Sequence, residues 1–246
     1  MTTSDRRRVA EVVPDDAAVA ALAAELGPRL GAAATFATTE HFNLQTARST
    51  TVSEANGRAG IYLAALSSNL IALAFIGQMS QLGTAFYAFA LILLPVLAYV
   101  GVVTFLRLVQ CFIEDLSYAH RISRLRSFYM RLSPELQPYL VTVRRPDSPA
   151  LFDGARFAPS ARQLTLTAAG MVAVVNSVVV AACAGLGLRA VGVDSLAIPI
   201  VAGAVIGAAV FMFHERLHRR ASDAYSPEAV DQAAILAPGP HPSGAH

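Results

Sequence analysis

Apolar and polar positions along the chain fall into long blocks, not into the short alternations of a soluble fold. Four stretches carry no charged residue: 61–77, 83–105, 164–188 and a fourth from about Leu196 to Phe213. A hydrocarbon core about 30 Å thick takes about 20 helical residues at about 1.5 Å rise, and each stretch is close to that length. Backbone groups inside lipid have no water to bond, so these stretches are predicted as helices and not as buried strands. The first is the shortest, and Ala55, Ala59, Gln78 and Met79 extend it.

The segments around them also read as helix. Asp15 and Asp16 sit in the first turn of DDAAVAALAAEL, where acidic groups complement the helix dipole, and Gly27-Pro28 ends that helix. From Thr38, with Glu40 close behind, a polar helix runs toward the first span. Its apolar or small positions (Phe42, Leu44, Ala47, Val52, Ala55, Ala59, Tyr62) follow helical spacing loosely. No breaker follows the second span. Leu108, Cys111, Tyr118, Ile122, Leu125, Tyr129 and Leu132 recur at spacings of three and four, with Asp115 as the polar interruption. The second span is therefore expected to continue as an amphipathic stalk until Ser133-Pro134-Glu135 starts a new short helix. Pro95 within the span predicts a kink. Residues 141–162, with Pro146, Pro149 and Pro159 and with Pro138 just before them, read as loop, and the tail after Ser226-Pro227-Glu228 ends in APGPHPSGAH, a disordered composition.

The predicted fold class is thus an all-α polytopic membrane protein with four transmembrane helices and helical cytoplasmic extensions. Its expected layout is a disordered N-terminus (1–14), cytoplasmic helices (15–60), a transmembrane hairpin (61–106), a cytoplasmic helical stalk and loop (107–162), a second hairpin (163–213) and a cytoplasmic tail (214–246), disordered at its end.

Composition narrows the class further. Of 246 residues, 54% are apolar and 15% charged, against about 25% charged in ordinary soluble domains, which excludes a disordered chain and argues against a simple soluble enzyme. All 19 basic residues are Arg, yet the net charge is only +2, so no nucleic-acid partner is expected. Cys111 and Cys183 fall at opposite ends of the membrane and make neither a disulfide framework nor a four-Cys zinc site. The first apolar run begins near residue 61, so a cleaved signal peptide is not expected.

Arginine placement gives an orientation. Eighteen of the nineteen lie before the first span, between the second and third, or after the fourth; Arg189 alone lies on the other side. The positive-inside bias predicts a bacterial inner-membrane protein with both termini and the central connection in the cytoplasm, leaving two short turns, 78–82 and 189–195, outside.

Candidate chemistry is sparse. His214-Glu215-Arg216-Leu217-His218 is a literal H-E-x-x-H, which on a helix sets two imidazoles on one face for zinc and a carboxylate to activate water. The competing reading is a basic interfacial anchor, HERLHRR; the 28 following residues offer only Asp223, Glu228, Asp231, His241 and His246 as a third ligand, so no metal or cofactor is expected. Gly203 and Gly207 form G-x-x-x-G, extended by Ala204 and Ala208, which lets helix backbones approach closely, within the chain or between subunits. Ser67, Ser68, Asn69, Asn176 and Ser177 are polar within spans and are expected to face protein, as interhelical hydrogen bonds or as a solute path. Arg121, Arg124, Arg126 and Arg131 on the stalk, near Glu114 and Asp115, read as a solvated face or as contacts to lipid headgroups or an anionic ligand. Gly154 and Gly170 stand outside any phosphate-binding loop, and no Ser/His/Asp or Cys/His arrangement is present.

Residues from His41 to about Leu140, with HFNLQTARSTTVSEANGRAGIYLAALSSNLIALAFIGQ and FIEDLSYAHRISRLRSFYMRLSPELQPY, resemble four-span integral membrane proteins of high-GC bacteria, a group without an assigned activity. The layout is also similar to small membrane effectors of bacterial nucleotide-signalled defence systems, a likeness of architecture that carries no site residues. The expected function is a non-enzymatic inner-membrane oligomer with a cytoplasmic sensing or docking layer. Its partners would be the lipid bilayer, further copies of itself, and a cytoplasmic protein or an anionic ligand. The alternatives are a signal-gated effector or pore, and a zinc metalloprotease built on His214, Glu215 and His218.

Overall fold

The computed structural model describes residues 24, 27–133 and 167–225. The expected disordered N-terminus, most of DDAAVAALAAEL, the short helix from Pro134, the 141–162 loop and the tail from Ser226 lie outside the described residues. Among those described, every long element is a helix and no strand occurs. A 3-10 turn, Gly27–Arg29, leads into α1, Leu30–Met79; α2 is Thr84–Leu132, α3 Ala168–Ala190 and α4 Ala197–Asp223. All four are long and apolar enough to cross a membrane, which makes this an all-α, multi-pass membrane protein.

α1 differs from its sequence reading in starting eight residues before Thr38. Thr35, Thr38 and Thr39 are poor helix formers, but each hydroxyl donates to the carbonyl four residues back (2.9, 2.9 and 3.0 Å), so no polar group is stranded on the helix surface. α2 runs through Pro95 and on into the stalk without a break.

The chain divides into two compact units, Met1–Thr46 with Tyr118–Asp153, and Ala47–Ser117 with Gly154–His246. In the first, Leu44 and Ile122 are buried and the His41 ring stands edge-on to Tyr129 at 6.1 Å. The second holds two apolar clusters. One joins all four helices through Ala59 and Tyr62, Phe105, Leu108 and Val109, Ala169, Val172 and Ala173, with Leu217 and Ala221 against them. The other joins Leu66, Ala90, Leu94, Leu97 and Val179.

Both hairpin turns close by the same hydrogen-bond pattern. After α1, the Leu82 N–H donates to the Gly77 carbonyl (3.0 Å) and the Gln81 N–H points at that of Gln78 (3.4 Å). After α3, Val193 donates to Leu188 (3.2 Å) and Gly192 to Arg189 (3.1 Å). This is the Schellman arrangement, whose penultimate residue must be left-handed. Gly192 meets the demand at φ +91°, whereas Gln81 meets it at φ +47° without being glycine, and Leu82 after it is left-handed as well (φ +57°). Leu82 compensates by folding onto Gly77, where an added Cβ would lie 3.3 Å from its Cδ2. Arg189 Nη1 donates to the carbonyls of Val193 and Asp194 (2.7 and 2.8 Å), so the arginine that breaks the charge bias ties its own turn.

α3 opens on Thr167, whose hydroxyl accepts from the Gly170 N–H at 3.1 Å. α4 begins with Pro199 in its first turn, where a missing N–H goes unmissed. The two helices approach until backbone meets backbone. A methyl on Gly203 would lie 2.6 Å from the Ala181 carbonyl oxygen, one on Gly207 2.9 Å from Ala181 Cβ and 3.0 Å from the Ser177 oxygen, and one on Gly185 3.2 Å from that of Pro199. The G-x-x-x-G face is therefore occupied within the chain, by α3. Ala204 and Ala208 are exposed and are not part of that contact, because a step of about 100° per residue turns them off the glycine face.

Candidate functional site

The polar chemistry of the second unit is arranged at three levels. Within the apolar stretches, Tyr62 of α1, Gly101 of α2 and Asn176 of α3 converge. The Tyr62 hydroxyl donates to Asn176 Oδ1 at 3.3 Å, and Asn176 is completely buried. Gly101 is required there: a Cβ would overlap the Asn176 carboxamide and lie 2.8 Å from the Tyr62 oxygen. Asn176 Nδ2 has no hydrogen-bond partner. Ser177 donates to the Ala173 carbonyl at 2.7 Å and is buried, as expected. Ser67 and Ser68 correct the expectation that they face protein. Both are exposed, and both hydroxyls donate to their own helix, at the Leu63 and Ala64 carbonyls (2.9 Å each). Half-buried Asn69 does likewise, to Ala65 at 2.7 Å. In lipid a side chain that satisfies itself needs no second helix.

The next level lies on α4 at and just beyond the end of the fourth apolar stretch. His214 and His218 do share a face, and both are buried, at 2% and 1% exposure. What faces them is aromatic. The His214 ring meets Phe105 edge-on at 4.5 Å, and His218 meets Phe112 at 5.2 Å and Phe105 at 6.3 Å. His214 Nδ1 lies 2.8 Å from the Val210 carbonyl oxygen, so in the neutral ring the proton sits on Nδ1 and Nε2 is bare. Neither Nε2 has a partner. Burial lowers the His218 pKa, with Glu215 opposing. Glu215 itself accepts from Arg219 at 3.1 Å. Among the described residues no group of three His, Cys, Asp or Glu is placed to hold a metal ion.

The third level is ionic and lies beyond the first two apolar stretches. Arg107 of α2 forms a two-pronged pair with Glu54 of α1, Nε to Oε1 at 2.9 Å and Nη2 to Oε2 at 3.0 Å, and its Nη1 also reaches Glu114 at 3.3 Å. Arg58 donates to the same Glu54 Oε1 at 2.8 Å. Arg48 clamps Asp115 in the same fashion, at 2.7 and 3.3 Å. Hydrogen bonds from Arg107 first and Arg58 second hold the Glu54 carboxyl at about 2, well below its usual value. Of Glu114 and Asp115, read from sequence as part of a solvated face, Asp115 instead joins α2 to α1 and Glu114 braces Arg107 of its own helix.

In the first unit Arg121 and Arg124 are exposed on the stalk, and Arg126 is half-buried; the side chain of Arg131 lies outside the described residues. Burial, and then the charge of Arg126, lower the His41 pKa. Sequence reasoning did not single out as site residues Tyr62, Gly101, Phe105, Phe112 or the pairs Glu54–Arg107 and Arg48–Asp115. The ion pairs had a legible signal: in an antiparallel hairpin, residues equidistant from the turn meet, and both pairs are nearly equidistant from Gln81.

No family model, curated protein or solved structure matches the chain.

Proposed function

We propose that this protein is a non-enzymatic, self-associating inner-membrane protein whose arginine-rich side faces the cytoplasm as a sensing or docking layer. The observation that carries the reading is the placement of charge. Outside the two short turns every arginine lies on one side of the four spans, and the carboxylates Glu54, Glu114 and Asp115 at that boundary are neutralised by Arg107, Arg58 and Arg48. Two-pronged arginine–carboxylate pairs fix geometry as well as charge, so α1 and α2 leave the apolar region in a set register. The stalk then offers Arg121 and Arg126 to an anionic partner, a cytoplasmic protein or lipid headgroups. A signal-gated effector or pore is the second reading, favoured by the unpartnered Asn176 Nδ2 within the spans. A zinc metalloprotease at His214 and His218 ranks below both, because their rings pack against phenyl rings, Glu215 is held by Arg219, and no third ligand stands with them among the described residues.

Cysteine labelling tests the orientation. Cysteines placed at Thr2 and Ser243 should resist impermeant maleimide in intact cells, and one at Ser195 should react. Labelling of either terminus in intact cells overturns the reading. The mass of the particle in lipid nanodiscs tests self-association: more than one 25.9 kDa chain per particle is expected, and a lone chain ends that part of the proposal.

A further inference from the structure

Two imidazoles buried against phenyl rings, each with an unpartnered ring nitrogen, are a costly way to join helices. An apolar residue of similar size would fill the same space without stranding a polar atom. We propose that His218 is an acid-operated latch: neutral, it holds the arginine-rich end of α4 against Phe105 and Phe112 of α2, and on taking up a proton it releases that end.

The geometry makes the two charge states unequal. Neutral His218 fits edge-on to Phe112 at 5.2 Å with 1% of its surface exposed. Charged, both ring nitrogens must donate, in a place where Nε2 has no acceptor. His214 offers no relief. Its own Nδ1 is committed to Val210, and its Nε2 is also without a partner.

Among the described residues, the carboxylates on the surrounding helices are either paired with arginine or, as at Asp223, exposed to solvent, and Glu215 offsets the burial of His218 only in part. On α4, Glu215 already pairs with Arg219, and Arg216, Arg220 and Asp223 are exposed. On α2, Arg107 is joined both to Glu114 and to Glu54 of α1, Asp115 is held by Arg48, and Cys111 is buried. Arg58 of α1 is held by Glu54. α3 carries Arg189 at its far end and no other charged residue. Protonation is therefore relieved by moving His218 into water. Only a short stretch must move, because α4 past Phe213 is amphipathic and packs by His214, Leu217, His218 and Ala221.

The sign follows from linkage. A histidine held below its ordinary value by burial binds fewer protons than when exposed. The closed state is thus at full strength above the ordinary histidine value and weakens as pH falls through it. One proton taken up on opening changes the opening constant by up to about tenfold per pH unit. The latch does not depend on which side of the membrane the arginines face, nor on the proposed docking role.

Hydrogen exchange of the full chain in lipid nanodiscs, corrected for the intrinsic rate, at about pH 7.5 and about pH 5.5 brackets the ordinary histidine value. Protection of amides 214–223 should fall at the lower pH by up to about tenfold per unit, while that of 170–180 in α3 stays constant. His218→Phe should abolish the fall and His214→Phe should keep it. Equal protection of 214–223 at both pH values, or the same fall in His218→Phe, overturns the latch. The wild-type comparison needs no variant, and His218→Leu is the second non-titrating form if His218→Phe does not fold.

Discussion

The two hairpins solve the same problem, holding antiparallel helices together, with opposite chemistry. α3 and α4 have no ion pair between them among the described residues and meet by removing side chains: Gly203, Gly207 and Gly185 bring backbone to backbone. α1 and α2 are about twice as long, bring larger residues such as Leu66 and Leu94 into one buried cluster, and add two-pronged ion pairs beyond the apolar stretch. The difference follows the solvent. In hydrocarbon, helices gain nothing from burying apolar surface, so close van der Waals contact supplies the association. Where the helices emerge into water, the desolvation cost of oriented arginine–carboxylate pairs falls, and such pairs set the register.

The largest effect should come from filling the glycine face. Gly203→Leu places a branched side chain where even a methyl lies 2.6 Å from the Ala181 carbonyl oxygen. Overpacking of this kind costs about 1–3 kcal/mol or more. Because the partner is α3 of the same chain, thermal stability and protease resistance of the solubilised protein should fall while the number of chains per particle stays the same. A change of particle size without loss of stability would show that the face joins subunits instead. Ala204→Leu, one residue around the helix, should be neutral.

Next in size is the junction between the hairpins. Gly101→Ala should destabilise by about 1–3 kcal/mol, since the new methyl needs the space of the Asn176 carboxamide. Asn176→Ala empties that space, so the double variant should recover much of the loss, a coupling of about 0.5–3 kcal/mol in a double-mutant cycle. Additive losses would mean that Gly101 matters for some other reason.

The four spans were legible because a helix that must keep one face in water does not go about 20 residues without a charge. The glycine motif was legible as a close approach, but not its partner, since G-x-x-x-G states how near a backbone comes and not which one. Ser67 and Ser68 misled because a serine in a helix has its own i−4 carbonyl within reach, whereas the Asn176 side chain is met across helices by Tyr62. The His214–His218 face was visible as a spacing. Its aromatic surroundings were not, because Phe105 and Phe112 stand about a hundred residues away and look, in the sequence, like any other apolar positions.

The ionic contacts of the first hairpin should yield a smaller and condition-dependent effect. Glu54→Gln should lower the midpoint of thermal unfolding by a few degrees at neutral pH, more at low salt than at high salt. Glu54 is held below its usual carboxylate value. Its contribution is therefore complete above about 4.5 and is lost as pH falls toward about 2. Wild type and Glu54→Gln should converge over that interval. A difference that persists unchanged at the acid end would assign the loss to packing. The glycine-packed hairpin, which has no titrating group at its contact, should show no such convergence between wild type and Gly203→Leu.

The smallest effects belong to the turns, and they should differ in sign. Both need a left-handed residue at the same place in the same hydrogen-bond pattern, and only the second supplies glycine. A left-handed conformation costs a side-chain-bearing residue about 1–2 kcal/mol. Gly192→Ala incurs that cost, less the roughly 0.4–1 kcal/mol by which alanine restricts the unfolded chain, for a net loss of about 0.5–1 kcal/mol. Gln81→Gly runs the balance backwards and should stabilise by a similar or smaller amount, because the neighbouring Leu82 remains left-handed with its side chain on Gly77. Reversible unfolding in mixed detergent, with helicity as the readout, resolves differences of this size when both variants are measured beside wild type. Two losses would mean that the Gln81 side chain contributes more at the membrane surface than its backbone costs, and the first turn would then be a stabilised feature in its own right.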